Sequence, residues 1–212
     1  MNDISVAIAT FNEEKNIAKC LNAVRSWVRE IIIVDGGSTD KTLAIAKQFK
    51  AKVVSVPEYK QTAEYNKGIA VNKAKNEILL MIDHDNILPH KNWLKKMVKP
   101  LLEDEQIFGS GVLRFHYDSK MSLVDRYTAL LGGTDPVPFF FNKSAHQSYL
   151  YSGFHLKGKV IKEESDYYKV KLNPLSLPAL GGNGSILRRK LLLKAKSSPE
   201  YFFHIDIHVD LA

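Results

Sequence analysis

Apolar residues fall along this chain in two rhythms. Val6-Ala7-Ile8-Ala9, Ile31-Ile32-Ile33-Val34 and Ile78-Leu79-Leu80-Met81-Ile82 are short unbroken runs closed by polar clusters, the pattern of strands buried on both faces. Between and after them the spacing becomes helical. Ile17, Leu21, Val24 and Val28 follow the first run, Leu43, Ala46 and Phe49 lie in a segment from Thr42 to Phe49, and Trp93, Leu94 and Met97 form the apolar face of a helix beginning near His90. Alternating strands and helices predict an α/β fold, in which ligands bind beyond the carboxyl ends of the parallel strands.

What closes each run is chemically useful. The first strand ends in Thr10-Phe11-Asn12-Glu13-Glu14. Asn12 suits the N-cap of the next helix, the two glutamates suit its positive end, and Thr10 and Phe11 are placed to touch a base or ribose. Capping and packing alone would explain Asn12 and part of Phe11. The second strand runs into Asp35-Gly36-Gly37-Ser38-Thr39-Asp40, a tight turn with Ser38 or Asp40 as a helix cap, which a plain strand-to-helix turn would also explain. The third ends in Asp83-His84-Asp85. If the chain is still extended there, residues i and i+2 point the same way, so Asp83 and Asp85 can converge on one hard cation seated on diphosphate oxygens; the alternative is a solvated turn.

Taken together, Ala9-Thr10-Phe11-Asn12-Glu13-Glu14, Ile33 through Asp40, Asn66-Lys67-Gly68-Ile69 and Asp83-His84-Asp85 resemble family 2 glycosyltransferases in order and spacing. The resemblance runs over nearly the whole chain. It implies a metal-dependent nucleotide-diphosphate-sugar transferase with the GT-A fold, a Rossmann-like, mostly parallel central sheet flanked by helices in a single domain. About residues 1–104 would bind the nucleotide sugar and about 105–212 the acceptor. By position, Thr10, Phe11, Glu13 and Asp35 would contact the nucleoside, and Asp83, His84 and Asp85 would hold ribose and the diphosphate with its Mg²⁺ or Mn²⁺, Asp83 and Asp85 being the metal ligands. Two departures stand out: Ala9 replaces a usual Pro, and Tyr65 replaces an Arg that would face the diphosphate, leaving Lys67 or Lys60 as the substitute cation.

The later sequence is less regular. Leu180 through Arg189 resembles the family's glycine-rich acceptor-side segment running into a helix, with Gly182, Asn183 and Gly184 brought close to the donor sugar or to another strand. Phe203 through Asp210 resembles the family's acidic base motif, with Ile205 and His208 where flanking acids are usual. Asp206 aligns as the general base and Asp210 is the runner-up. The chain stops directly after this motif, where family members continue, so the acceptor half is expected to be truncated. The missing acids keep open a second reading, a nucleotide-sugar-binding domain with impaired catalysis; other α/β nucleotide-binding enzymes, such as a methyltransferase or an aspartate-nucleophile phosphatase, fit the spacing poorly.

Composition narrows the setting. With 212 residues, 45% hydrophobic and 25% charged, the chain can bury a sizeable core. No signal-peptide pattern opens the sequence, no run reaches membrane-spanning length, and the single Cys20 falls on the apolar side of the first helix. These features predict a cytoplasmic protein. The net charge of +7 fits an anionic sugar nucleotide or an anionic membrane surface. Lys91, Lys95, Lys96 and Lys99 surround the helix near His90, and Tyr127 to Gly153 carries Phe139-Phe140-Phe141, a candidate acceptor-side loop or greasy surface for a lipid-linked acceptor. The expected partners are therefore a nucleotide-diphosphate sugar and a saccharide or lipid-linked acceptor, with peripheral contact at the inner membrane face. No pattern points to nucleic acid.

Overall fold

The structure, a computed structural model, describes residues 2–56, 62–86, 88–89, 92–133, 136–141, 144, 146–156, 158–173 and 184–194. They form two compact units, one from residues 2–111 with 184–194 and the other from residues 112–173. In chain order the first unit contains β1 (Asn2–Thr10), α1 (Ile17–Arg25), β2 (Val28–Asp35), α2 (Thr42–Gln48), β3 (Lys52–Ser55), α3 (Ala63–Lys73), β4 (Ile78–Asp83), α4 (Trp93–Glu103) and β5 (Gly109–Ser110). The second contains α5 (Leu123–Leu131), α6 (Pro136–Phe140), β6 (Lys159–Glu163) and β7 (Tyr168–Lys171). The chain then returns to the first with β8 (Ser185–Arg188) and α7 (Arg189–Leu192).

The first unit is built on a six-stranded sheet in the order β3-β2-β1-β4-β8-β5. The first four strands are parallel, while β8 runs antiparallel to both β4 and β5. Strand alternation divides the apolar runs between two faces. Ile4, Val6, Ile8, Ile31, Ile33, Ile78, Leu80, Ile82 and Ile186 join one core with Ile17, Cys20, Leu21 and Val24 of α1 and Leu94, Val98 and Leu101 of α4. On the other face α3 packs over β1 and β2, where β1 presents the small residues Ser5, Ala7 and Ala9. Helices on both faces explain why the strands read as continuous apolar runs.

Three local expectations change. Helix α1 begins at Ile17 with Asn16 as its N-cap residue, and Asn12 lies upstream with φ +51°. Val28 opens β2 instead of closing the helix, because the chain leaves α1 at Ser26. The segment through Arg189 enters the sheet as β8, followed by only the four residues of α7. The helices predicted over Thr42 to Phe49 and around Trp93, Leu94 and Met97 form as α2 and α4, with Lys95, Lys96 and Lys99 exposed; Lys91 and Lys60 lie outside the described residues.

In the second unit, α5 starts under a Ser122 side-chain cap and ends at Gly132, whose φ of +83° supplies the left-handed residue that helix termination favours. A Cβ there would strike the His146 carbonyl oxygen at 2.1 Å, so the close approach also demands glycine. The segment from His146 to Tyr151 is tied to α5 through Tyr149 N–H and Ser148 Oγ, both donating to the Leu130 carbonyl. Strands β6 and β7 pair antiparallel as an isolated hairpin.

Candidate active site

Parallel register aligns the strand ends. Thr10 pairs with Asp35 and Ala9 pairs with Asp83, so the groups closing β1, β2 and β4 stand in one row at the carboxyl edge of the sheet. Thr10 is buried and its Oγ1 has no partner among the described residues, a polar atom left available at that edge. Phe11, next along, is 50% exposed and presents a ring for stacking.

The loops after β1 and β2 are stitched together. Asn12 Oδ1 accepts from Thr39 N–H at 2.8 Å, Asn12 N–H donates to Ser38 Oγ at 2.9 Å, and Glu13 N–H donates to Thr42 Oγ1 at 2.7 Å. Glu14 N–H donates to Asp40 Oδ2 at 3.0 Å while Glu14 Oε2 accepts from Lys41 N–H at 3.1 Å. The left-handed backbone at Asn12, tolerated better by Asn than by most residues, aims its side chain across to the second loop. Asn12 is therefore a loop lock and not a helix cap. Asp40 keeps a capping contact, accepting from Thr42 N–H at 2.9 Å.

Asp35 is 1% exposed, and its carboxylate accepts from Gly37 N–H, Ser38 N–H and Ser38 Oγ. It shapes the turn that receives Asn12. Any contact it makes with a nucleoside would use the acceptor capacity left over, since each carboxylate oxygen carries two lone-pair sites.

The Asp83-His84-Asp85 triplet is not extended. Asn86 N–H donates to the Asp83 carbonyl at 3.1 Å and Asn86 Oδ1 accepts from Asp83 N–H at 3.0 Å, closing a turn that separates the environments of the two carboxylates. Asp83, still in β4, pairs through Oδ1 with Lys67 Nζ at 2.7 Å. Asp85 lies past the strand, exposed, with Oδ1 3.3 Å from Asn86 Nδ2. The expectation that alternation along an extended chain aims both carboxylates alike is thus corrected by this turn. Between them, His84 Nε2 lies 2.8 Å from Glu13 Oε1 and Nδ1 lies 3.3 Å from the Ala9 carbonyl. Glu13 also accepts from Asn16 Nδ2 at 3.1 Å. His84 and Glu13 thereby bind the β4 turn to the loop after β1.

Lys67 is only 1% exposed. It occupies the sheet-facing side of α3 with Asn66, Ala70, Val71 and Ala74, where an ammonium needs a counter-charge. Asp83 provides it. The signal was present in the spacing, because 66, 67, 70, 71 and 74 form one helical stripe that includes the lysine. Beneath the turn, Cys20 Sγ lies 3.7 Å from the Asp83 carbonyl; burial, then the charges of Asp85 and Asp83, push its thiol up to about 12. It is a core residue with no nucleophilic character at neutral pH.

The donor set fits a hard divalent cation. Asp85 offers an exposed carboxylate, whereas the charge of Asp83 is already met by Lys67. One or two carboxylates completed by substrate phosphates is the usual protein share of a Mg²⁺ site. Among the described residues no cluster of three or more His, Cys, Asp or Glu forms a protein-only cage. Gly184, with φ +71°, donates its N–H to the Met81 carbonyl at 2.9 Å, and a Cβ there would lie 4.0 Å from the Trp93 ring. Its close approach is to β4 and α4. Gly182, Asn183, Asp206 and Asp210 lie outside the described residues.

Comparison with known proteins agrees with this fold. Residues 5–167 match the model of glycosyl transferase family 2. Over 133 residues the chain is 30% identical to glycosyltransferase AglE of Haloferax volcanii, covering 58% of this chain and 43% of that one. Over 114 residues it is 35% identical to a dolichyl N-acetyl-alpha-D-glucosaminyl phosphate 3-beta-D-2,3-diacetamido-2,3-dideoxy-beta-D-glucuronosyltransferase of Methanococcus voltae, covering 47% and 34%. The crystal structure of glucosyl-3-phosphoglycerate synthase from Mycobacterium tuberculosis with Mn²⁺, UDP-glucose and phosphoglyceric acid superimposes with a TM-score of 0.60 at 24% identity, over 98% of this chain and 64% of that one. The fold is GT-A. This chain spans less than half the length of these two sequence relatives.

Proposed function

The chain belongs to glycosyl transferase family 2, and from that premise we propose that it moves a sugar from a nucleotide-diphosphate donor to an acceptor hydroxyl or lipid-linked phosphate with inversion at the anomeric carbon. The observation that carries the reading is the row of Thr10, Asp35 and Asp83 at three aligned strand ends, with Asp85 exposed just beyond. Thr10 Oγ1 and the Phe11 ring would receive the nucleoside over the turn that Asp35 holds. His84 and Glu13 would keep the β4 turn in place against the loop after β1. Asp85 would hold Mg²⁺ or Mn²⁺, which when bound supplies Lewis-acid stabilisation of the departing diphosphate. Asp83 would serve the ribose side, its carboxylate fixed by Lys67.

The acceptor hydroxyl needs a base, and Asp206 is proposed for it on the resemblance of its motif, with Asp210 next. Mn²⁺ and UDP-glucose in the mycobacterial neighbour and a dolichyl phosphate glycan in the name of the archaeal relative support a divalent cation, a nucleotide sugar and a lipid-linked acceptor of polysaccharide, glycolipid or glycoprotein glycan synthesis. Such an acceptor would be met at the cytoplasmic face of a membrane.

A thermal-shift panel of nucleotide sugars with Mn²⁺ tests the reading. A ligand that binds only the folded state raises Tm by mass action. The expected result is a rise with one nucleotide sugar, abolished by EDTA and by Asp85→Ala, followed by transfer that Asp206→Asn lowers about 100-fold without weakening donor binding. A metal-independent shift unchanged in Asp85→Ala would remove Asp85 from the site, and binding without transfer to any saccharide or lipid acceptor would leave a nucleotide-sugar-binding domain.

A further inference from the structure

Two tyrosines of the second unit stay open to solvent although the backbone around them is firmly held. Gln147, 1% exposed, donates its N–H to the Leu113 carbonyl at 2.7 Å, and its side chain spans the bend that follows: Oε1 accepts from His155 N–H at 2.7 Å while Nε2 donates to the Gly153 carbonyl. Ser148 is buried, donates from Oγ to the Leu130 carbonyl at 2.7 Å and accepts from Leu150 N–H at 3.0 Å; Tyr149 N–H meets the same Leu130 carbonyl. Residue 149 is thus fixed on both sides. So is the far end of its side chain, because the Tyr149 hydroxyl donates to the Phe115 carbonyl at 2.7 Å. A ring anchored at both ends, across two neighbouring segments, lies along the surface instead of projecting from it, and Tyr149 remains 44% exposed.

Arg114 and Tyr117 complete this surface. The Arg114 guanidinium carbon stands 5.5 Å from the Tyr149 ring centroid, and its Nη2 donates to the Tyr151 carbonyl at 2.8 Å, which holds the fork in place. The Tyr117 ring, 38% exposed, has its centroid 6.0 Å from that of Tyr149 with the two planes at 54°. Two tilted rings therefore form a corner beside a guanidinium. His116, Asp118, Ser119 and Lys120, which flank Tyr117, are exposed as well, and Met121 N–H closes a turn on the Asp118 carbonyl at 3.0 Å.

The mixture of groups selects the ligand. A lipid chain or an apolar helix gains from aliphatic neighbours, whereas polar side chains flank Tyr117 and a guanidinium adjoins Tyr149. A pyranose whose hydroxyls are equatorial has only C–H bonds on its two faces and hydroxyls around its rim. The face suits an aromatic ring, and the rim suits arginine N–H donors and the polar side chains beside them. Rings positioned before the ligand arrives lose little side-chain entropy when it binds.

We propose that Tyr117, Tyr149 and Arg114 form a binding platform for a β-linked, gluco-configured saccharide, the rings stacking on its C–H faces and the guanidinium meeting its hydroxyl rim. The inference deepens the saccharide-acceptor part of the proposed function and rests on that reading for its choice of a sugar; the binding itself needs neither donor nor metal.

Calorimetric titration of the full chain with cellohexaose and chitohexaose, unbranched β-linked chains of such pyranoses, tests it. The parent protein is expected to bind at least one of them with a Kd on the order of 1 mM. Tyr117→Ala should weaken that binding about tenfold and Tyr149→Ala at least as much, the contribution of one lost ring contact, while Tyr117→Phe keeps the ring and should stay within about twofold of the parent. Tyr117→Phe and Tyr117→Ala differ only in the ring, and equal Tm values for the two separate lost binding from lost folding. Nucleotide-sugar thermal shifts with Mn²⁺ should be the same in all these proteins. Tyrosine-dependent oligosaccharide binding in a protein that shows no donor shift would support the platform and fault the transferase reading alone; a donor shift with no binding of either oligosaccharide up to about 10 mM would overturn the platform alone. Equal affinity in the parent and in Tyr117→Ala combined with Tyr149→Ala, or tyrosine-dependent binding to phosphatidylcholine vesicles with no response to either oligosaccharide, would overturn it as well.

Discussion

At the scale of single residues, the candidate site rests on one buried charge pair. Lys67 sits on the sheet-facing side of α3 and its ammonium meets Asp83 at 2.7 Å. Removing one partner of a buried pair leaves the other charge uncompensated, which costs about 3 kcal/mol; removing both costs less than the sum. Lys67→Met is therefore expected to lower unfolding stability by about 3 kcal/mol, discounted toward about 2 because the Asp83 side chain retains 22% exposure. In Lys67→Met with Asp83→Asn, much of that loss should return. Urea melts of the four proteins decide the matter: additivity within about 0.5 kcal/mol would mean the pair is not coupled. The same contact explains how Lys67 differs from a diphosphate-facing substitute for the arginine missing at Tyr65. In this structure its ammonium is directed to Asp83, so its influence on a donor would pass through that carboxylate.

At the scale of elements, β8 shows what a strand can do for two helices at once. Alternation along β8 puts Arg188 on the face of Ile186, toward α1 and α4, while Arg189, the first residue of α7, reaches the end of α3. Arg188 donates to the carbonyls of Leu101, Asp104 and Ile107 at and beyond the end of α4, and Arg189 donates to Val71 and Asn72 at the end of α3. Both helices thereby have orphan carbonyls met by a cation at their negative end. Arg188 is buried, so Arg188→Ala should cost about 3 kcal/mol, while the more exposed Arg189→Ala should cost about 1 kcal/mol. A denaturant midpoint for Arg188→Ala no lower than that of Arg189→Ala would refute the ranking. None of this was legible from the Arg188-Arg189 dipeptide, since both carbonyl sets lie roughly 80 or more residues upstream. The parallel strands were legible, because burial on both faces writes an unbroken apolar run into the sequence. Asn12 as a helix cap and the extended backbone from Asp83 to Asp85 were misread for the opposite reason: φ +51° at Asn12, with its contacts to the loop after β2, and the turn that Asn86 closes on Asp83 are set by hydrogen bonds that periodicity does not record.

At the scale of the whole molecule, the two units carry different responses to acid. The second unit holds His146 with its ring 3.9 Å from that of Phe115 and its Nδ1 buried with no partner among the described residues. Burial disfavours the imidazolium and pulls its pKa from 6.5 down to about 4. A depressed folded-state value means that the unfolded chain binds the proton first as pH falls, so the stability contributed by neutral His146 is complete above about 6.5 and is lost as the pH drops toward 4. The loss is on the order of 2 kcal/mol for a half-buried ring. Both tryptophans, Trp27 and Trp93, lie in the first unit, so their fluorescence reports on that unit alone. Between pH 7 and 4.5 hydrogen exchange in α5 and residues 146–151, corrected for intrinsic rates, should accelerate while the tryptophan signal of the first unit holds. His146→Gln should remove most of the acceleration, because a side chain that does not titrate in this range contributes nothing to the difference in proton uptake. Equal acceleration in parent and variant would place the acid sensitivity outside His146, whereas simultaneous loss of the tryptophan signal would show that the units unfold together.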